Sequence, residues 1–402
     1  LRTVAIVGGS LAGLRTAETL RKDGFDGVIH FIGEETHPPY DRPPLSKELL
    51  SGKLPQENIS LVSDENFAAL ELQLHLGVRA VGFDAASKLV SLETGEEVAA
   101  DGVCLATGAR PRQLGDDNPQ GVYVLRTLED CLALKAEFAV QPRRVVVVGA
   151  GFIGAEVAAT ARGYGLEVTM VELLEVPLSR VLGEKMGQVM ADIHLEQGVD
   201  LRVGVGVEGL NSKADGRVGS VKLTDGVEIP ADVVVVGIGV IPNTEWLEGS
   251  GLTLENGIVC DETLLAAPGV VAAGDVARWP NRRFGEMMRV EHWDNAIEQG
   301  IAAARRLMAG PGQERPFEPV PWFWSDQYDR KLQLAGIPSP QGEVEVVTGS
   351  LEERRFAALY EKDGKVSGVL GMNRPRHVMK YRQLIVDGVG WDDALEFAST
   401  QG

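Results

Sequence analysis

The sequence predicts an α/β chain made of two doubly wound units, one set within the other, and a smaller α+β domain after them. Three observations carry this. Val4-Ala5-Ile6-Val7 runs into the glycine-rich turn Gly8-Gly9-Ser10-Leu11-Ala12-Gly13, and Val145-Val146-Val147-Val148 runs into Gly149-Ala150-Gly151-Phe152-Ile153-Gly154. Strand and helix periodicities alternate over roughly the first three hundred residues. From about Phe317 that alternation gives way to short strands of period two.

Taken in order, residues 4–7, 11–22 and 28–32 make one strand–helix–strand unit, and residues 145–148, 153–164 and 167–171 make a second. Between them, residues 103–111 form a buried strand that ends in a Gly/Pro turn, and a similar exit follows the second unit at 233–243. Such paired exits suit a chain that leaves one domain and returns to it. The second unit is therefore read as inserted into the first, which resumes around Val270-Val271-Ala272-Ala273-Gly274-Asp275 and finishes with a helix over 295–308. Gly310-Pro311-Gly312-Gln313 reads as a linker. Strands at 332–335, 343–347, 354–359 and 365–370 and one helix at 376–387 make up the last domain. The expected boundaries are 1–110 with 236–312, 111–235, and 313–402.

Length and composition agree. At 402 residues the chain is too long for one ordinary core. Its 44% hydrophobic and 24% charged residues are those of a soluble globular protein, and no apolar run suits a membrane span. The chain starts directly on a strand, so no signal peptide is expected. Cys104, Cys131 and Cys260 are far apart, which argues against a zinc knuckle, a local iron–sulfur ligand set or a CxxC redox pair, and no metal is expected. A reducing cytoplasm follows. The net charge of −19 argues against nucleic acid or an anionic membrane as partner, and otherwise serves solubility.

The two turns carry the chemistry. In a GxGxxG turn the first glycine permits the bend and the second lets the backbone approach a pyrophosphate. The third lets helix and strand pack, so that the helix N-terminus points its N–H groups at the anion. Gly149, Gly151 and Gly154 satisfy all three positions; Gly8 and Gly13 frame a departure at Ser10. An acid follows each unit's second strand, Glu34 after the first and Glu172 after the second. A carboxylate there accepts hydrogen bonds from ribose hydroxyls and repels a 2′-phosphate. No arginine or lysine follows Glu172 until Arg180, so NADH is expected over NADPH. Two such sites imply two dinucleotides.

Further residues stand out. In Asp41-Arg42-Pro43-Pro44-Leu45-Ser46-Lys47 the prolines fix the backbone and Ser46 is a candidate N-cap for a helix over 47–50. Lys47, so held, suits a flavin's negative ring, an acid partner or plain solvent. Glu156 lies on the first turn of its helix, where a carboxylate favours the dipole. Asp275 falls at a strand's carboxyl end, where α/β proteins bind ligands. Trp293, Trp322 and Trp324 are three of six tryptophans and suit packing, a flavin neighbour or a protein partner.

At this point the chain resembles the flavoprotein ferredoxin reductases that serve bacterial aromatic-ring dioxygenases and cytochrome monooxygenases. The resemblance rests on Pro38-Pro39-Tyr40-Asp41-Arg42-Pro43-Pro44-Leu45-Ser46-Lys47, Leu105-Ala106-Thr107-Gly108, Leu125-Arg126-Thr127-Leu128-Glu129-Asp130, the second glycine turn, Gly237-Ile238-Gly239, Ala273-Gly274-Asp275 and Pro321-Trp322-Phe323-Trp324-Ser325-Asp326-Gln327. It implies a glutathione-reductase-like fold with an FAD domain, an inserted NADH domain and a C-terminal α+β domain. It also implies that Ala12, Glu34, Lys47, Arg126, Asp275, Trp293 and, through its backbone, Ala80 contact FAD. Gly151, Ile153, Glu172, Arg180 and Gly239 would line the NADH site. Glu156 would lie near the nicotinamide and, with Lys47, tune the flavin's surroundings. The CxxxxC redox pair of the disulfide-reductase branch is absent.

The expected activity is hydride transfer from NADH to FAD, which needs stacking and orientation and no general base. Electrons then pass singly to an iron–sulfur ferredoxin docked near Trp322 and Trp324. Arg330 and Lys331, with Arg374, Arg376, Lys380 and Arg382, are candidates for steering an acidic partner, or are ordinary solvated charges. Two other activities stay open: an NADH oxidase or peroxidase, and a flavin-loaded sensor resembling the apoptosis-inducing flavoproteins.

Overall fold

The computed structural model describes residues 1–115 and 117–401. The chain falls into two compact units, each discontinuous in sequence. The first comprises Leu1–Asp41, Glu57–Arg110 and Ile241–Pro321; the second comprises Arg42–Gln56, Pro111–Val240 and Trp322–Gly402.

The first unit is organised by a six-stranded sheet in the order Leu265–Ala267, Val270–Ala272, Gly102–Leu105, Thr3–Val7, Val28–Gly33, Gln73–Leu76. All neighbours in it run parallel except the Leu265–Ala267 edge. Parallel strands are covered on both faces, which is why Val4, Ile6, Ile29, Phe31 and Cys104 are apolar and fully buried. The helix Leu11–Lys22 packs against Trp293–Met308, and Gly300 makes the close crossing possible: a Cβ there would lie 2.6 Å from the Ala12 carbonyl oxygen. Thr16, buried at the same crossing, donates to the Ala12 and Gly300 carbonyls. The second helix begins at Trp293, two residues before the sequence-based start, because apolar periodicity registers only further inside the helix.

The second unit holds a five-stranded all-parallel sheet, in the order Asp200–Arg202, Glu167–Val171, Arg144–Val148, Val233–Val236, Val122–Tyr123. It also holds a five-stranded antiparallel sheet in the order Trp322–Gln327, Arg330–Gly336, Lys365–Met372, Arg355–Lys362, Val344–Ser350. Leu182, Met186, Met190 and Ile193 of the helix Ser179–Glu196 bury against Leu332, Leu334, Phe356 and Leu370 of that sheet.

Two local expectations are corrected in this unit. The turn at Pro43–Ser46 is a 3-10 helix, and residues 47–50 do not form the helix expected there, so Ser46 caps nothing. The last domain carries a second helix, Trp391–Ser399, beyond Pro375–Asp387. The first of these stops at Gly388, whose φ of 65° is left-handed. The second starts with Asp392 and Asp393 in its first turn and sets Phe397 edge-on to Tyr381, a face too short to give a clear period.

Two histidines tie stability to pH. His194 meets the Tyr328 hydroxyl at 2.8 Å in the second unit, and burial pushes its pKa down to about 4. His292 in the first unit is pushed down to about 4 by burial, against a smaller upward pull from Asp275. Both bind a proton more readily unfolded than folded, so their contribution is complete above about pH 6.5 and fades as pH falls towards about 4. Melting temperature is expected to fall steeply across that window, and H194Q should flatten the fall; a pH-independent melting temperature there would contradict it.

Candidate functional site

The two glycine turns are the same device built twice. In the first unit Gly8 has φ 130°, and a Cβ on it would lie 2.0 Å from the carbonyl oxygen of Ala106, just past the strand Gly102–Leu105. In the second unit Gly149 has φ 100°, and its Cβ would lie 2.3 Å from the Gly237 oxygen, just past Val233–Val236. A Cβ on Gly13 would strike the Gly8 oxygen at 2.0 Å, and one on Gly154 the Gly149 oxygen at 2.1 Å. The middle position differs. A Cβ on Gly151 would meet nothing within 4 Å, so protein packing does not demand glycine there. That is why the first turn accommodates Ser10, which precedes the helix Leu11–Lys22 with extended backbone.

The acids lie where the strands predict, each already engaged. Glu34 follows Val28–Gly33 and pairs with Arg79, which immediately precedes Ala80 at the start of Ala80–Asp84. Arg79 is a residue that sequence reasoning missed. Glu172 follows Glu167–Val171 and accepts from the backbone N–H of Ala150 at 2.8 Å and of Leu174 at 2.9 Å. One bond ties the acid to its glycine turn, and a carboxylate offers roughly four acceptor positions, so capacity remains for ribose hydroxyls.

Within the first unit Gly274, φ 77°, which immediately precedes Asp275, lies against the helix starts: a Cβ on it would lie 3.2 Å from the Ala12 Cβ and 4.0 Å from that of Ala296. Gly274 N–H donates to Gln299 Oε1 at 2.8 Å, while the buried Gln299 Nε2 has no partner among the described residues. The indole N–H of Trp293 donates to Asp41 at 2.6 Å. Gly8, Ser10, Ala12, Gly13 and Asp275 therefore converge at the carboxyl ends of parallel strands, as a dinucleotide requires, and the orphaned amide fits a polar ligand there.

Within the second unit Ile153 is 49% exposed beside the turn, Gly239 has φ 95° with open space around it, and Arg180 is exposed at the start of Ser179–Glu196. Arg126 precedes the helix Leu128–Ala139, which Thr127 and Asp130 close with a capping box, and its carbonyl accepts from Arg42 at 2.6 Å.

Glu156 lies in the second turn of the helix Phe152–Gly163, not in the first turn expected for it, so the helix dipole does not account for it. It is 3% exposed, and its Oε2 accepts from Ser46 Oγ at 2.5 Å and Lys47 Nζ at 3.2 Å, while Oε1 accepts from Ser325 Oγ at 2.7 Å. One turn further along the helix Phe152–Gly163, Thr160 donates to the Ser46 carbonyl at 2.8 Å; the next turn brings Tyr164, whose hydroxyl donates to the Leu50 carbonyl at 2.9 Å. Positions 156, 160 and 164 share one helix face, and together they strap the proline segment to it. Of the readings open for Lys47, the acid partner is the one observed.

Two parallel sheets, each carrying a glycine turn and an acid, define a two-dinucleotide oxidoreductase. Residues 2–300 match the family described as pyridine nucleotide-disulphide oxidoreductase, and residues 322–398 match a reductase C-terminal domain. The chain is 38% identical over 386 residues to rhodocoxin reductase of Rhodococcus erythropolis, covering 95% of this chain and 89% of that one. It is 36% identical over 391 residues to putidaredoxin reductase of Pseudomonas putida, covering 96% and 92%. A crystal structure of a covalent putidaredoxin reductase–putidaredoxin complex superposes with a TM-score of 0.93 at 34% identity, covering 100% of this chain and 99% of that one. The chain belongs to the pyridine nucleotide-disulphide oxidoreductase family, with a glutathione-reductase-like fold and the use of FAD and NAD(H).

Proposed function

We propose that this chain takes electrons from NADH into FAD and passes them one at a time to an iron–sulfur ferredoxin that feeds an oxygenase. A relative named as the ferredoxin–NAD(+) reductase component of an anthranilate 1,2-dioxygenase system covers 95% of this chain, which supports this reading. The observation that carries the electron exit is the state of the cysteines. Cys104, Cys131 and Cys260 are all free and buried, and burial pushes their thiols up to about 12, 11 and 12. No thiolate or disulfide is available to take electrons, so they leave for an external acceptor. When bound, FAD would supply the capacity to take up a hydride and to give up electrons singly.

In this reading the first turn, Glu34, Ala80, Arg126, Asp275 and Trp293 hold FAD, and Lys47 and Glu156 set the charge beside it. Gly151, Ile153, Glu172, Arg180 and Gly239 hold NADH. The three-domain division given by the sequence and a cytoplasmic location belong to the same proposal. No helix among the described residues is long and apolar enough to cross a membrane.

NADH is expected to outpace NADPH. Glu172 meets the position of a 2′-phosphate with like charge, and Arg202 on the neighbouring strand has its guanidinium held by Asp200 at 3.0 Å. Stopped-flow flavin reduction that is as fast with NADPH would overturn this.

The ferredoxin is proposed to dock near Trp322, Trp324, Arg330 and Lys331. The two indoles lie 5.7 Å apart on one face of their strand. Arg330 pairs with Asp329, and Lys331 with Asp326 at 2.6 Å, so the local positive charge is smaller than the bare sequence suggests. Charge reversal at both positions should slow ferredoxin reduction and flatten its salt dependence while leaving reduction of a small dye intact. Equal ferredoxin rates would remove this surface from the docking site. Fast turnover in air without any ferredoxin would favour an oxidase instead.

A further inference from the structure

The strand Trp322–Gln327 alternates its faces, and its odd-numbered residues lead back to Glu156. Phe323 packs edge-on against Phe152 with ring centroids 4.7 Å apart, and Ser325 and Gln327 are buried on the same side. Ser325 Oγ lies 2.7 Å from Glu156 Oε1, and Gln327 Nε2 lies 3.1 Å from Ser325 Oγ.

The chemistry fixes the direction of this chain of bonds. An ionised carboxylate only accepts, so the single hydroxyl proton of Ser325 points at Glu156. The Ser325 oxygen must then accept from Gln327, which requires the amide nitrogen of Gln327, not its oxygen, to face it. The Gln327 oxygen is correspondingly buried with no partner among the described residues, a cost that the opposite orientation would move onto the carboxylate. Glu156 Oε1 is thereby occupied by Ser325, and Oε2 is left to Lys47 and Ser46.

We infer that Ser325 and Gln327 are positioning residues for the Lys47–Glu156 pair: they present one fixed hydroxyl proton to Glu156 and so hold its other oxygen towards Lys47. The pair's side chains are 10% and 4% exposed, so solvent does not supply a substitute donor when Ser325 is removed. The consequence for electron transfer rests on the placement of Lys47 and Glu156 beside FAD given above.

The test uses the flavin-loaded protein and the variants S325A, S325T, Q327M and E156Q. The infrared antisymmetric carboxylate stretch of Glu156 is assigned by its loss in E156Q. It should shift in S325A and in Q327M and return towards the parent frequency in S325T. Flavin reduction by NADH should slow in S325A but show little further slowing when S325A is added to E156Q, a coupling of about fivefold. A carboxylate band unmoved by S325A and Q327M would overturn the inference, as would equal slowing by S325A in both backgrounds. A shifted band with flavin reduction unchanged in S325A and E156Q alike would leave the relay standing and remove the pair from the flavin.

Discussion

Gly149→Ala should abolish efficient use of NADH. The substitution must place a Cβ 2.3 Å from the Gly237 oxygen while the backbone stays at φ 100°, a region that costs a non-glycine residue ~1–3 kcal/mol even without a clash. The turn must therefore move, and a displacement near 1 Å of a positioned group costs about 100-fold in kcat/KM. The comparison with Gly151→Ala makes the result diagnostic. A Cβ on Gly151 meets nothing within 4 Å, so that variant should keep parent stability and lose NADH affinity only by crowding the ligand. Stopped-flow reduction by NADH, set against photochemical reduction of the same bound flavin, separates the two. Parent-like NADH kinetics in Gly149→Ala would show that the second turn does not hold the nucleotide.

Glu156→Ala should be the most destabilising single change at the charge pair. It removes one carboxylate from Ser46, Lys47 and Ser325 together and leaves a lysine buried without its anion. Breaking a buried pair from one side costs ~3–5 kcal/mol, a large share of a typical folding free energy. Denaturant unfolding should show a lower midpoint, and the proline segment, strapped by residues 156, 160 and 164, should become protease-sensitive first. Glu156→Gln keeps an acceptor for only one of the two serine hydroxyls and leaves Lys47 without its anion as well, so it should recover only part of the loss. An unchanged midpoint in Glu156→Ala would mean that Lys47 finds water or another anion.

Local chemistry was legible in the sequence and distant partnership was not. Gly8, Gly13, Gly149 and Gly154 announce themselves because each is required by a carbonyl a few residues away or at the end of an adjacent strand. Glu34 and Glu172 follow from the same spacing. The surroundings of Glu156 do not: Ser46 stands 110 positions before it and Ser325 stands 169 after it, and no periodicity encodes such a meeting. Arg79 was hidden for the same reason, being 45 positions from Glu34. The serine at position 46 illustrates the cost of local rules. Its residue type suits a cap, and a buried carboxylate from another element claims it instead.

The strand Trp322–Gln327 constrains how this protein can change over evolutionary time. Even positions carry the two tryptophans and Asp326, and odd positions carry Phe323, Ser325 and Gln327 towards Phe152 and Glu156. If the ferredoxin docks as proposed, partner choice can drift by substitution at even positions without disturbing the charge pair, and the pair can be retuned at odd positions without altering that face. An inserted or deleted residue has no such freedom, because it would exchange the two faces at once. Variation along this strand should accordingly arise as point changes confined to one parity, and its length should stay fixed.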